Sequence, residues 1–471
     1  MTDGGCYALD KRPVSIDNSS FANPFFITPD REGSPLKPFK KLLLLLLLFG
    51  LIAGGIFYFR DTDAPQVSLI PGSGPISATT ELSLAVNDTL SGLKDLSVTL
   101  VQEGGRIPLA TQHFEPGSEA LTTAFNLKGK KLKNGPFQIE IVAGDQSIYR
   151  LGKGNQSKTT FDLTYDTRAP IISILSKAHN FNRGGSGLVL YQLSEETSKH
   201  GVIVGDRFFP GYQQDSGQYA CLLSYPYDLK EAEFIPRIVA VDLAGNERQA
   251  GIYYRSKGKT FRQRKITLSD NFLQMKTPEF EALVPEVTDP LDIFLYVNGE
   301  IRQQNRAKMA ELGLQTSPVP LWNGAFLRHP NSSTVAFFAD HRGYYYNGNK
   351  VDEATHLGYD LASVAQAEIP AANAGDVLFA DYLGIYGLCV VIDHGLGLQT
   401  LYAHMSQLDV LAGDRVSRGQ IIGRSGATGM AGGDHLHFGV FVSGQAVEPK
   451  EWWDNHWLTD NINSKLELLT H

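Results

Sequence analysis

Apolar residues follow three patterns along this chain. The first is a block: the eighteen residues from Leu42 to Phe59, LLLLLLLFGLIAGGIFYF, contain no charge. Wound as a helix they extend about 27 Å, enough to span a bilayer. The second is a series of short runs in which apolar and polar residues alternate, LSLAV, LSVTL and FQIEIVA in one stretch and LVLYQL, GVIVG and RIVAVD in the next, punctuated by Gly, Asn, Asp and Pro. A period of two gives a strand one buried and one wet face, so this part predicts an all-β protein. The third lies between Phe272 and Leu314, where PLDIFLYVNGEIRQQNRAKMAELG spaces its apolar residues unevenly and ends in charged, alanine-bearing sequence. It predicts a connector with a helix. Short Gly-rich and aromatic-rich strands then return as far as about Trp457.

An internal repeat divides the β region. DTDAPQVSLI begins at Asp61 and DTRAPIISIL begins at Asp166, 105 residues later. That is the length of one β-sandwich domain, about 100 residues, and proline suits the first residue of an edge strand. VDLAGNERQAG, from Val241 to Gly251, resembles the Asp-x-Ala-Gly-Asn hairpin near the end of many bacterial immunoglobulin-like domains. The expected layout is a mainly β chain. It has a cytoplasmic tail over 1–41, a transmembrane helix over 42–59, and immunoglobulin-like sandwiches over 61–165 and 166–262. A connector over 263–318, a C-terminal antiparallel β domain over 319–457 and a tail over 458–471 complete it. His113, His179 and His200 stand alone in the sandwiches, which suits spacer or recognition duty.

Composition narrows the function classes. A length of 471 residues implies about three domains. With a net charge of -8 and no Lys/Arg block, nucleic acid is not the expected partner. Lys37, Lys40 and Lys41 precede the apolar block, and Arg60, Asp61 and Asp63 follow it. The lysine-rich side therefore stays in the cytoplasm and the remainder is exported. The block is long for a signal peptide and no A-x-A site follows, so an uncleaved anchor is expected. Of the three cysteines, Cys6 lies before the anchor while Cys221 and Cys389 fall in different domains, so no structural disulfide is expected.

Nine of the twelve histidines lie from His329 onward, and the candidate chemistry is there. GDHLHFGV sets His435 and His437 two apart, on one face of a strand, with Leu436 turned the other way. THLGYDLAS supplies His356 and Asp360, with Gly358 permitting a bend between them. Imidazole nitrogen and carboxylate oxygen are both ordinary zinc ligands, and His356, Asp360 and His437 give three ligands with a fourth position open. His404 follows an apolar strand, and GATGMAGGD precedes the histidine pair. There is no HExxH, which excludes a thermolysin-type helix site.

These elements, in this order, resemble the M23 family of zinc metalloendopeptidases, the lysostaphin-like and LytM-like enzymes that cut peptide bonds in peptidoglycan. The resemblance covers about residues 320–457: H-x-G-x-D at 356–360, IPAANAGDVLFA, YGLCVVIDHGLGLQTLYAH, GDRVSRGQIIGRSGATG and HLHF. It implies that His356, Asp360 and His437 bind Zn²⁺ and that His404 and His435 act on the substrate. Asp434 stands where family members often have proline. His394, His329, His341 and His456 read as structural or surface histidines. Arg342 and the tyrosines of RGYYYNG either line the groove or pack on the sheet. The expectation is a single-pass periplasmic wall endopeptidase, with peptidoglycan and envelope proteins as partners. A non-catalytic activator or scaffold of another wall hydrolase, or a secreted peptidase acting on proteins, are the alternatives.

Overall fold

The computed structural model describes residues 38–284 and 286–469; most of the expected N-terminal tail, and with it Cys6, lies outside them. Pro38–Tyr58 form one helix, α1, whose leucines are exposed along its whole length. A helix that is apolar all round and buries none of its faces suits a non-aqueous phase. Among the described residues it is the one helix long and apolar enough to cross a membrane.

Two β units follow. In the first, a three-stranded sheet (Gln66–Ile70, Leu82–Asn87, Ala120–Phe125) and a five-stranded sheet (Gly74–Ile76, Gln156–Tyr165, Gly135–Asp145, Leu93–Gln102, Gly105–His113) enclose a core of their own. Alternation works as the sequence predicts: Leu82, Leu84 and Val86 are buried while Ser83 and Ala85 between them are not. In the second unit, two four-stranded sheets are centred on Ser186–Leu193 with Tyr219–Ser224 and on Thr197–Val204 with Arg237–Asp242. Its core does not close on itself. Phe181, Tyr225 and Phe234 belong to one continuous apolar cluster with Phe338, Val440 and Trp452 of the C-terminal part. Polar ties cross the same boundary: Glu451 accepts from Ser186 N at 2.8 Å and Asn182 Nδ2 at 3.0 Å, and Arg207 Nε donates to Gln445 Oε1 at 2.9 Å.

The connector is richer than the one helix expected. Its strand Gln263–Thr267 pairs in parallel with His341–Tyr346, and three helices follow: α2 (Asp270–Phe280), α3 (Pro290–Tyr296) and α4 (Arg302–Leu312). Caps explain the division. Ser269 Oγ accepts from Phe272 N, and Asp289 accepts from Leu291 N and Asp292 N with Pro290 in the first turn. Residues 458–469, expected as a tail, form packed helical turns instead, because Leu458 and Ile462 are four apart and both buried.

The C-terminal part is built on an antiparallel sheet. Seven of its ten strands, β1 (Ser333–Ala336), β2 (Tyr359–Ala362), β3 (Gly375–Tyr382), β4 (Leu388–Asp393), β5 (Leu398–Leu408), β6 (Arg415–Val416) and β7 (Leu436–Val442), run in the order β1-β2-β7-β5-β4-β3-β6. Cys221 and Cys389 are buried free thiols.

Candidate metal centre and its groove

Strand register assembles most of the site. On neighbouring strands Asp360 of β2 lies opposite His437 of β7, which lies opposite Ala403 of β5. Residues directly opposite share a face, so Asp360 and His437 project together. His404 would point to the other face if β5 were regular. It sits instead at φ +63°, where three steps of β5 (Tyr402 to Met405) oppose two steps of β4 (Val390 to Leu388). This bulge turns its ring back to the site. His356 enters from the turn before β2, its N–H donating to Asp340 O at 2.9 Å. Gly358 lets that turn pass over the His437 ring: a Cβ there would meet His437 Nε2 at 2.7 Å and Phe438 O at 2.6 Å.

Three lone pairs converge. His356 Nδ1 faces Phe337 O at 2.8 Å, so that nitrogen carries the proton and Nε2 is left bare. Nε2 lies 2.8 Å from Asp360 Oδ1 and 2.9 Å from His437 Nδ1, and the last two are 2.9 Å apart. All three residues are buried. A triangle of one carboxylate and two imidazole donors, with the His356 tautomer set from behind, fits an ion with bonds of about 2.0–2.2 Å such as zinc. Arg342 Nη2 donates to the outer oxygen, Asp360 Oδ2, at 2.9 Å. Arg342 thus supports the carboxylate while it lines the groove, and Tyr344 lines it too, packed edge-on against Phe294 of α3.

The charges are distributed unevenly. Burial works to raise the Asp360 carboxyl, but His356, His435 and His437 around it outweigh burial and hold it well below the usual carboxylate range. Burial pushes His437 down to about 4, and it drives His404 well down, with His435 and His437 adding to the effect. Burial also pulls on His435, yet Asp360, 3.6 Å from its Nε2, leaves that ring raised. Nδ1 of His404 faces Thr428 O at 2.8 Å, and Nδ1 of His435 faces Gly433 O at 2.7 Å. The two rings lie 4.9 Å apart, centre to centre.

All five expected residues line one cavity of about 160 Å³. Four further residues, Arg302 and Arg306 of α4, Tyr386 and Met430, were not singled out from sequence. Arg302 Nη2 bonds Asn298 Oδ1 at 2.6 Å and, with Arg306 four residues on, brings positive charge into the cavity. No local motif marks them, because a helix from a separate segment supplies them. The loops around the cavity meet through glycines: Gly387 and Gly429 both have positive φ, and a Cβ on Gly387 would lie 2.5 Å from Gly429 N. Asp434 ties the Gly-rich loop down, accepting from Ser425 Oγ at 2.6 Å and Gln366 N at 2.9 Å. His394 is buried between Ala374 O and Thr400 Oγ1, as a structural histidine should be. Its pKa is pushed down to about 4 by burial.

Residues 354–449 match Peptidase family M23. The chain carries an M23 peptidase domain. Over 94 residues it is 38% identical to the DD-carboxypeptidase/endopeptidase Mpg of Neisseria meningitidis, a match covering 20% of this chain and 22% of Mpg. Over 95 residues it is 40% identical to the murein hydrolase activator EnvC of Escherichia coli, covering 20% of this chain and 23% of EnvC. The chain thus spans less than a quarter of these curated relatives. Among solved structures, the catalytic domain of lysostaphin from Staphylococcus simulans is 26% identical, covering 27% of this chain and 98% of that one, with a TM-score of 0.23.

Proposed function

We propose that the chain is a zinc-dependent endopeptidase hydrolysing peptide bonds in the stem or cross-bridge peptides of peptidoglycan. In this reading α1 anchors it in the cytoplasmic membrane and the β units and M23 domain lie outside the cytoplasm, the two β units acting as a spacer. The observation that carries the reading is the meeting of His356 Nε2, Asp360 Oδ1 and His437 Nδ1 in a cavity that two more imidazoles line. His356, Asp360 and His437 hold the zinc. Zinc held there supplies Lewis acidity, polarising a carbonyl and lowering the pKa of water.

The chain's own groups divide the proton work. His404 stays neutral through burial, and with its Nδ1 proton given to Thr428 O its Nε2 is a bare base. His435 holds its proton more firmly beside Asp360, which suits stabilising a developing oxyanion and protonating the leaving amine. Arg302 and Arg306 favour peptides that carry a carboxylate near the cleaved bond.

The similarity to EnvC supports a second reading, an activator or scaffold acting through a protein partner. The complete donor set favours the enzyme. The test is digestion of purified sacculi by the full chain in detergent with zinc, beside His437→Ala and His404→Ala. Released peptides identified by mass spectrometry, lost in both variants, support the enzyme. A folded, zinc-loaded chain that releases nothing moves the weight to the activator.

A further inference from the structure

Outside the M23 domain the molecule holds a second kind of site, and it occurs twice. Asp61, Asp88 and Asp145 in the first β unit are 5%, 7% and 1% exposed. One oxygen from each lies within 4.8 Å of the other two. Three buried carboxylates so close repel one another and lose their hydration, a cost that a bound cation offsets. Among the described residues no lysine or arginine pairs with any of them. Asp61 Oδ2, fully buried, has no hydrogen-bond partner, and neither has the nearby Ser91 Oγ, whose own N–H donates to Asp88 Oδ1.

The second unit also brings Asp166, Glu195 and Asp242 together, one oxygen of each within 4.8 Å of the others, although here only Asp242 is buried, Asp166 being half-buried and Glu195 exposed. Thr197, paired across the strands with Asp242, likewise has a buried hydroxyl without a partner. The asparagine clasp is the same in both units. Asn155 gives its N–H to Asp145 Oδ1 at 2.7 Å and its Nδ2 to Asp145 Oδ2 at 2.7 Å and Asp61 O at 3.3 Å. Asn246 gives its N–H to Asp242 Oδ1 at 2.8 Å and its Nδ2 to Asp242 Oδ2 at 2.9 Å and Asp166 O at 3.1 Å. Both clasps grip the residue at which the chain enters the unit. Such a framework holds the carboxylates in place but supplies no positive charge.

We infer that each β unit binds one calcium ion where the chain enters it, at Asp61/Asp88/Asp145 and at Asp166/Glu195/Asp242. The ligands are all hard carboxylate oxygens, which suit calcium over zinc. The two sites sit at joints: the first just after α1, the second between the two units, where Thr80 Oγ1 also reaches Ala244 O at 3.4 Å. Bound calcium links the entering strand to the body of each unit and stiffens the joint.

The test is equilibrium binding of ⁴⁵Ca²⁺ to the full chain in detergent with zinc saturating, beside thermal unfolding in calcium or magnesium. Asp88→Asn and Glu195→Gln keep hydrogen-bond acceptors and remove one charge from each site. Two calcium ions per chain are expected, with Kd about 0.1–1 mM as in extracellular modules, and each substitution should weaken one site about tenfold or more. Calcium, and not magnesium, should raise the unfolding midpoint by a few degrees. One ion only, lost in Asp88→Asn, would overturn the second site and keep the first. No binding at several millimolar calcium, or binding that neither substitution changes, would overturn the inference.

Discussion

Replacing Gly358 with alanine adds one methyl carbon at a position where backbone conformation is no obstacle, since its φ is not in the left-handed region. The obstacle is space. The new carbon would lie 2.6 Å from Phe438 O and 2.7 and 2.8 Å from His437 Nε2 and Cε1, where ordinary contact begins at 3.4 Å. Something must yield by about 0.7 Å. Phe438 O belongs to β7, held between β2 and β5, so the turn that carries Gly358 must lift away from it and the imidazole must tilt as well. Tilting it moves Nδ1 out of a triangle whose edges are 2.8–2.9 Å, far beyond the roughly 0.2 Å that a metal bond tolerates. Gly358→Ala should therefore lower zinc affinity by about 10–100-fold or more, and stability by about 1–3 kcal/mol. Competition against a chromophoric chelator reads the first quantity and thermal unfolding of the chelated protein the second. A variant that keeps zinc affinity within about threefold, under 1 kcal/mol, would refute the steric argument and the assignment of His437 as a ligand.

Arg342→Gln removes the charge on the outer oxygen of Asp360; zinc affinity or hydrolysis should fall about 10–100-fold while the unfolding midpoint of the chelated protein changes little. His394→Ala should do the opposite, leaving zinc stoichiometry intact and costing about 2–4 kcal/mol of stability through two lost buried hydrogen bonds and a cavity, as denaturant titration would show. Glu451, whose pKa burial raises to about 7 against the bonds from Asn182 and Ser186 that lower it, sets a pH dependence. Between about pH 4.5 and 7 the folded chain binds the extra proton, so stability should fall as pH rises through this window, by about 3 kcal/mol at most, and level off above it. Unfolding midpoints across that range should lose most of this slope in Glu451→Gln.

The centre was legible because its motifs follow the order of the M23 family, and local rules agree with that order without being enough alone. Histidines two apart on a strand share a face, and a glycine between His356 and Asp360 announces a close pass. The position of His404 rests on a bulge that depends on how β4 and β5 align, which no short stretch encodes. Arg302 and Arg306 come from α4, whose docking is decided by long-range packing, so sequence placed a helix there without its place in the groove. The paired clasps were hidden for another reason: Asp145 and Asn155 are ten residues apart, while Asp242 and Asn246 are four apart. The equivalence exists in space and not in spacing. The C-terminal turns were missed because two apolar residues in a polar segment are too few to mark a buried face.

The undivided core shared by the second β unit and the M23 domain bears on how such a chain can evolve. The first unit, with a core to itself, is a free-standing part that recombination can copy, lose or exchange with little penalty. The second is not. Phe181, Tyr225 and Phe234 share one cluster with Phe338 and Trp452, and Tyr227 packs edge-on against Phe338 across the boundary, so a crossover there would leave both halves with bare apolar faces. Lineages that trade such modules should carry the second unit and the M23 domain together as one inherited block, with variation in number confined to what lies before it.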